Sequence, residues 1–246
     1  MSIYSRSDTL HVNQLANAAY ASVDGLSPHS NEDAIKVHID NSGIRACMAD
    51  GHWGDAAARK AVDFMLDAAV PSARREAIAI VGELEEQVYR ELGRGTMRDT
   101  SADRTPEAAV TSIAVRGDVL HVASYGDCGL LVARNQQVHY AMPQSATWLG
   151  CYSYLGLRAR MPIREALVYE EIPLQAGDSV LLYTDGLTEW AHNEELMITP
   201  QGLAYNMFGS AAEMTERLAR LALTQGVAGT EDDCSVFAYT HGAATT

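Results

Sequence analysis

The sequence contains very little lysine and few basic residues of any kind. Only Lys36 and Lys60 occur in 246 residues, and acidic residues outnumber basic ones by 32 to 18, a formal net charge of −14. A nucleic-acid-binding surface needs clustered positive charge to meet phosphates, so that class of function is disfavoured. Neither lysine follows a glycine-rich run, which excludes a phosphate-binding loop of the G-x-x-x-x-G-K type.

Long apolar runs and paired cysteines are also missing. No run approaches the roughly 18 apolar residues of a membrane helix, and the polar segment Met1–Thr9 lacks the apolar centre of a signal peptide. No two of the four cysteines form a C-x-x-C pair (Cys47, Cys128, Cys151, Cys234). A zinc ribbon or a disulfide scaffold is therefore disfavoured, and we expect a cytoplasmic protein with reduced cysteines that does not associate with membranes.

Hydrophobic residues, at 47% of the chain, suffice for a sizeable core. Helical spacing of apolar residues predicts a helix over Asp55–Val70 and a second one through Leu92, and cap signals at Thr199-Pro200 and Ser210–Glu213 predict two more. Alternating and short apolar runs predict the strands. These are Ala18–Val23, Ala34–Ile39, Ile44–Ala49, Val110–Val115, Val119–Ser124, Leu130–Ala133, Val138–Ala141, Glu165–Ile172, Ser179–Tyr183 and Cys234–Tyr239.

Strands and helices come in blocks along this chain and do not alternate. A parallel sheet is therefore disfavoured, and we expect an α+β protein, a four-layer αββα sandwich of two antiparallel sheets flanked by helices. No repeat or linker interrupts residues 1–246, which predicts a single domain. The aperiodic stretch Pro143–Pro162 is predicted to be a long loop, at a length where loops usually serve function.

Aspartates recur at the ends of the predicted strands. Apolar runs stop at Asp50, Asp127 and Asp185, and the pair Asp232-Asp233 runs into the last strand, while Asn31–Asp33 enters an early one. Aspartate and glycine also suit turns, so each case alone is explained by turn formation. Together, acids at the ends of central strands are expected to converge, which is costly unless a cation lies between them.

Oxygen ligands of this kind favour Mg²⁺ or Mn²⁺ over zinc. Two such ions can bridge a hydroxide and orient a phosphoester for in-line attack. The chain has no H-E-x-x-H and no G-x-S-x-G motif. His52 follows Asp50-Gly51 closely enough to protonate a leaving oxygen, or it is simply a polar residue that opens the following helix.

The order of these motifs resembles the metal-dependent protein phosphatases of type 2C, in the bacterial single-domain form. The similarity extends over about residues 15–240. The matching segments are Asn31–Ala34, Asp50–Gly54 (D-G-H-x-G), Gly126–Cys128 (the start of G-D-S-R), Asp185–Leu187 (D-G-L) and Glu231–Val236 (D-D-x-T-V).

The resemblance implies a role for each acid. Asp50 would bridge two metal ions and Gly51 would offer its carbonyl to one of them. Asp185 and Asp232 would hold the other ion, with Asp232 rather than Asp233 as the ligand. Asp33 would hold a metal-bound water, and Asp127 would join Asp185 in a third, weaker site, so that two or three Mn²⁺ or Mg²⁺ ions bind. Residues 143–162 would form the mobile flap beside the site.

Two positions depart from the family pattern. The arginine that grips substrate phosphate in relatives is replaced by Pro28, which makes its neighbour His29 a candidate substrate-binding residue. The arginine that closes G-D-S-R is replaced by Gly129. Loss of the first arginine puts ground-state phosphate binding in doubt but leaves metal binding intact.

The resemblance therefore implies a protein-serine/threonine phosphatase, a phosphoric monoester hydrolase in signalling. It would act on phosphoserine or phosphothreonine of a protein partner, the target of a serine/threonine kinase, through a metal-bridging hydroxide. Asp50 and His52 are its candidate catalytic residues. Two alternatives stay open: a dedicated phosphatase of the partner-switching kind, acting on one regulator, and a pseudophosphatase that binds without turnover.

Overall fold

The computed structural model describes residues 12–15, 17–25, 31–40, 43–92, 106–142, 154–156, 162–188, 199–225 and 232–242. They belong to two compact units. The first comprises residues 1–31, 131–141 and 176–246, and the second comprises residues 32–130 and 142–175. The single domain over residues 1–246 remains a prediction.

The described residues contain eleven strands, five α-helices and a 3₁₀ turn at Asp185–Leu187. The strands are β1 Asn13–Leu15, β2 Ala18–Val23, β3 Ala34–Asp40, β4 Gly43–His52, β5 Glu107–Arg116, β6 Val119–Tyr125, β7 Gly129–Arg134, β8 Gln137–Ala141, β9 Val168–Pro173, β10 Ser179–Tyr183 and β11 Cys234–Thr240. The helices are α1 Ala56–Asp67, α2 Arg74–Leu92, α3 Ile163–Ala166, α4 Pro200–Asn206 and α5 Ala211–Gln225.

The first unit contains the larger sheet, with strand order β1-β2-β11-β10-β7-β8. β11 lies between β2 and β10 and is antiparallel to both. Helix α5 packs on β2 and β11, where Met214 and Leu218 meet Val236 in a fully buried apolar cluster. This packing explains the helical spacing of apolar residues that the sequence shows after Ser210.

The second unit contains the smaller sheet, with strand order β3-β4-β5-β6-β9 and every neighbouring pair antiparallel. Helix α1 packs on β4 and β5, and α2 packs on α1. Val62 and Met65 of α1 and Leu84 and Val88 of α2 are buried in this core. Removal of these side chains from water is the main stabilising contribution of the two helices.

The predicted α+β class, with two antiparallel sheets and helices packed on each, is confirmed. The predicted strand Glu165–Ile172 begins too early in the chain. Residues 163–166 form the short helix α3 after Pro162, and only Val168–Pro173 are extended. The Arg74 guanidinium donates to the carbonyl oxygens of Arg164 and Leu167 and so stabilises the turn from another element, which local sequence could not reveal.

The predicted loop over residues 143–162 lies outside the described residues except for 154–156 and Pro162. Its described segment is held to β5, because the backbones of Leu155 and Ala108 exchange two hydrogen bonds. Cys47, Cys128 and Cys234 are buried and form no disulfide with one another. In the described part of the chain, no helix is long and apolar enough to cross a membrane.

Candidate metal centre

The acids of the second unit gather at one end of its sheet because neighbouring strands are antiparallel. β4 reaches this end at Asp50, which pairs with Ala109 of β5. β6 ends at Tyr125, two residues before Asp127. Ala34 begins β3 opposite Ala49 of β4, so Asp33 enters the sheet where Asp50 leaves it. The register therefore brings three of the predicted site residues, Asp33, Asp50 and Asp127, to the same end of the sheet.

Of these acids, Asp50 and Asp127 are placed so that their carboxylates could hold one metal ion together. They are 2% and 4% exposed, and each offers a carboxylate oxygen within 4.8 Å of the other's. Asp127 also accepts a hydrogen bond of 2.5 Å from the Tyr154 hydroxyl. Two buried carboxylates this close repel each other unless a cation or a proton lies between them.

Two glycines of the predicted motifs are required by close backbone packing. A Cβ at Gly51 would lie 2.3 Å from the carbonyl oxygen of Glu32, and one at Gly186 would lie 1.9 Å from that of Asp233. Glycine therefore follows Asp50 and Asp185 because the chain passes directly against another segment there. This steric requirement for glycine is separate from the predicted role of the Gly51 carbonyl as a metal ligand.

His52 and Trp53 follow Asp50 and contact Glu107 on the neighbouring strand. His52 pairs with Glu107 across the sheet, with Nδ1 3.7 Å from a Glu107 carboxylate oxygen. The His52 ring also meets the edge of Tyr154, with ring centroids 4.6 Å apart. Burial raises the pKa of Glu107, against the opposing effects of His52 and of a hydrogen bond with the Trp53 side chain. The imidazole is thus placed at the same end of the sheet as Asp50.

In the first unit, the antiparallel pair β10 and β11 brings Asp185 and the Asp232-Asp233 pair to one end of the larger sheet. Asp185 is 6% exposed and follows Thr184, whose hydroxyl accepts from the Ser235 N–H. The Asp233 carboxylate is buried and accepts from the Gly25 N–H at 2.8 Å. Asp232 is exposed, and its carboxylate accepts from the Asp233 N–H. The two adjacent acids therefore have different surroundings.

The predicted site residues thus fall into two groups that sequence reasoning did not separate. Asp33, Asp50, Gly51, His52 and Asp127 lie at one end of the smaller sheet, and Asp185 and Asp232 lie at one end of the larger one. His29 and Pro28 lie outside the described residues.

Sequence reasoning missed Glu107 and Tyr154. Glu107 is the first residue of β5, and the sequence indicated only the apolar part of that strand. Tyr154 lies in a segment without periodicity, which gives no indication of its contacts. The cross-strand register and the contact with Asp127 identify them only once the chain is folded.

The donor set suits a hard divalent cation. Carboxylate oxygens, with a backbone carbonyl at Gly51, are ligands that Mg²⁺ and Mn²⁺ accept. The buried pair Asp50 and Asp127 provides two such oxygens close together. Cys47, Cys128 and Cys234 lie in apolar clusters. A cation between the carboxylates would relieve their repulsion, so the residues present fit the metal that the motifs imply.

Comparison with known proteins identifies the family and the fold of this chain. The family model of Stage II sporulation protein E (SpoIIE) matches residues 56–241. The fold is similar to that of a bacterial serine phosphatase, with a TM-score of 0.70 and 16% identity over 92% of this chain and 98% of that one. No curated protein sequence matches the chain.

Two further solved structures share the fold. The catalytic domain of the serine/threonine phosphatase PstP, solved with two manganese ions, gives a TM-score of 0.65 and 19% identity over 94% of this chain and 99% of that one. The Ser-Thr phosphatase MsPP from Mycobacterium smegmatis, solved with cacodylate, gives 0.63 and 18% over 91% and 97%. Since the family model matches well over half of the chain, the predicted type 2C resemblance is confirmed and the protein belongs to the SpoIIE family of type 2C-like phosphatases.

Proposed function

We propose that this protein is a phosphatase that hydrolyses phosphoserine or phosphothreonine on a protein partner and depends on Mn²⁺ or Mg²⁺. The observation that carries the proposal is the buried pair of carboxylates, Asp50 and Asp127, at the sheet end where the D-G-H-x-G motif lies. Family membership and the fold shared with serine/threonine phosphatases support it.

Asp50, the Gly51 carbonyl and Asp127 are proposed as metal ligands from the smaller sheet, with Asp33 holding water nearby. The motifs assign Asp185 and Asp232 to the same centre. Bound divalent ions would supply an activated water and offset the charge that develops on the phosphoryl oxygens.

The protein's own side chains would position the ester and move the proton. His52 lies next to the metal-binding motif, and we propose that it protonates the leaving serine or threonine oxygen. Glu107 and Tyr154 contact the His52 ring and limit its orientations. His29 is proposed to contact the substrate phosphate, since proline occupies the place of the usual arginine. The partner is proposed to be a phosphorylated target of a serine/threonine kinase in the cytoplasm.

Hydrolysis of p-nitrophenyl phosphate and of a phosphoserine peptide tests the proposal. We expect turnover of both with Mn²⁺ or Mg²⁺ and none in excess chelator, with activity restored when the metal is added back. Undiminished turnover in chelator would exclude the metal mechanism. Binding of phosphopeptides without turnover under any metal condition would indicate a pseudophosphatase.

The adjacent acids Asp232 and Asp233 offer an internal test of the assigned ligands. Asp232→Ala should lower kcat by orders of magnitude, as should Asp50→Ala and Asp185→Ala, because each removes a proposed metal ligand. Asp233→Asn should keep nearly full activity, because an amide oxygen can still accept from the Gly25 N–H. The opposite result, with Asp233 essential and Asp232 dispensable, would show that the metal ligand of the last motif is Asp233 and not Asp232.

A further inference from the structure

Trp53 has a backbone conformation that its residue type rarely adopts. Its φ is 65°, in the left-handed region, where a bulky side chain is strained. The residue is nonetheless 46% exposed, one of four exposed large hydrophobic residues in the described part of the chain. Core packing therefore does not explain why tryptophan stands here, three residues after Asp50. Strain of this kind at a candidate active site indicates a functional constraint.

A hydrogen bond from the indole N–H to a largely buried carboxylate fixes the orientation of the ring. The Trp53 side chain is hydrogen-bonded to Glu107, and the indole N–H is its only donor group. The Glu107 side chain is only 13% exposed and lies on β5, opposite His52. The ring is thus anchored at the end of the β4–β5 strand pair, which carries the candidate metal ligand Asp50, with much of its surface open to solvent.

The surroundings of the ring favour a cation. Trp53 shares its sheet end with Asp50, Asp127 and Glu107. A carboxylate that accepts from the indole N–H increases the electron density of the ring, and tryptophan is the aromatic side chain that binds ammonium and guanidinium groups best. The chain as a whole carries a formal net charge of −14, which favours approach of a basic partner.

We propose that Trp53 determines substrate specificity by receiving a lysine or arginine side chain that lies beside the phosphorylated serine or threonine of the protein substrate. This inference rests on the proposed phosphatase function and adds the charge class of its substrate. The cation would pack on the exposed indole face, and the phosphate group would be received by the divalent ions that Asp50 and Asp127 are proposed to hold.

Phosphoserine peptides with one variable residue test the proposal. The variable residue lies next to the phosphoserine and is lysine, glutamine or leucine, and the rest of the peptide is kept constant. We expect kcat/KM of the unmodified protein for the lysine peptide to exceed that for the glutamine peptide by about twofold to thirtyfold, the range of a cation–π contact. In Trp53→Ala this ratio should fall to near one. Tyr205→Ala removes an aromatic side chain that is 56% exposed on α4 and should leave the ratio unchanged.

Two further measurements separate the possible causes of failure. Trp53→Gly removes the ring and allows the left-handed backbone without strain, so it keeps the test valid if Trp53→Ala folds poorly. Fluorescence anisotropy of labelled peptides that carry a non-hydrolysable phosphonate in place of the phosphate reports binding without turnover while Mn²⁺ is present, and the lysine preference should appear there too. Mn²⁺-dependent hydrolysis of p-nitrophenyl phosphate by the same preparations tests the phosphatase function by itself.

The proposal is overturned if the unmodified protein hydrolyses p-nitrophenyl phosphate but shows no lysine preference by turnover or binding. It is also overturned if the preference survives both Trp53→Ala and Trp53→Gly. A preference for leucine over lysine would assign an apolar residue, not a cation, to the indole and would equally reject it.

Discussion

At the scale of single residues, the two acids before β11 differ in what they contact. Asp233 is buried and binds the backbone N–H of Gly25, 208 residues away in the sequence. Asp232 is exposed, and its carboxylate accepts from the N–H of its immediate neighbour Asp233. The first arrangement joins two chain segments, and the second leaves a carboxylate accessible. This difference supports a structural role for Asp233, and the ligand role of Asp232 stays a proposal.

The structural role of Asp233 gives a stability prediction. Asp233→Ala should lower the free energy of unfolding by about 1–3 kcal/mol, because the partly buried Gly25 N–H loses its charged acceptor. Asp233→Asn should lower it much less. Urea denaturation of the metal-free protein measures both changes without interference from metal binding. Equal losses for alanine and asparagine would show that the charge, and not the acceptor, is what Gly25 requires.

A second residue pair, Arg134 and Asp178, stabilises the larger sheet. The guanidinium donates to both carboxylate oxygens at 2.8 Å, and the Asp178 side chain is only 1% exposed. Asp178→Ala should lower the melting temperature, because it removes the acceptor of both guanidinium hydrogen bonds, although Arg134 itself is 28% exposed and can be hydrated. Asp118→Ala, at a β-turn aspartate, is the comparison in thermal unfolding. A loss for Asp178→Ala no larger than for Asp118→Ala would contradict the assignment.

At the scale of elements, close backbone packing after β10 dictates glycine at position 186. Gly186→Ala would place a Cβ 1.9 Å from the Asp233 carbonyl oxygen, so the backbone must shift, at a cost of at least about 1–3 kcal/mol. Gly82→Ala is the matched control within α2. Its nearest neighbour is 4.0 Å away, and alanine should stabilise this helix by about 0.5–1 kcal/mol. Thermal unfolding should therefore move in opposite directions for the two variants.

Helix α5 begins with a capping box that links its stability to pH. Glu213 accepts from the Ser210 N–H and hydroxyl, and the Ser210 hydroxyl accepts from the Glu213 N–H. These bonds lower the pKa of Glu213 below its ordinary value of 4.5. The contribution is therefore present above the unfolded-state pKa and is lost as pH falls through the lower folded-state pKa.

We expect Glu213→Gln to be less stable than the unmodified protein at neutral pH, with the difference shrinking as pH falls below about 4.5. Urea midpoints at a series of pH values measure it. In a Ser210→Ala background the same substitution should have a smaller but still measurable effect, since the hydroxyl donor is absent while the backbone N–H of residue 210 still donates to Glu213. A difference independent of pH would rule out the charged form of Glu213 as the source.

At the scale of the whole molecule, metal binding should couple to stability. Mn²⁺ should raise the melting temperature progressively with its free concentration, because a ligand that binds only the folded state stabilises it. Asp50→Ala should be at least as stable as the unmodified protein without metal, since it relieves repulsion with Asp127, and should lose most of the Mn²⁺-dependent increase. Calorimetry with and without chelator measures both effects. An Asp50→Ala protein with an unchanged Mn²⁺ response would place the metal elsewhere.

The sequence alone determined the class of fold and the identity of most candidate ligands. Strand and helix periods are local, so the blocks of strands and the helices α1, α2 and α5 could be predicted from residue spacing. The cap signals at Thr199 and Ser210 are equally local, and both caps are present. The strand-end acids Asp50, Asp127 and Asp185 are visible because turn residues and apolar runs flank them.

Only the tertiary structure decided which distant groups meet. Residues 163–166 became helix through contacts with Arg74 that their own sequence does not encode. Strand register placed Glu107 opposite His52, and the segment around Leu155 brought Tyr154 to Asp127. The different environments of Asp232 and Asp233 likewise depend on Gly25, far away in the chain. Periodicity fixes which face of an element is buried, whereas long-range register and close backbone approach fix which side chains share a site.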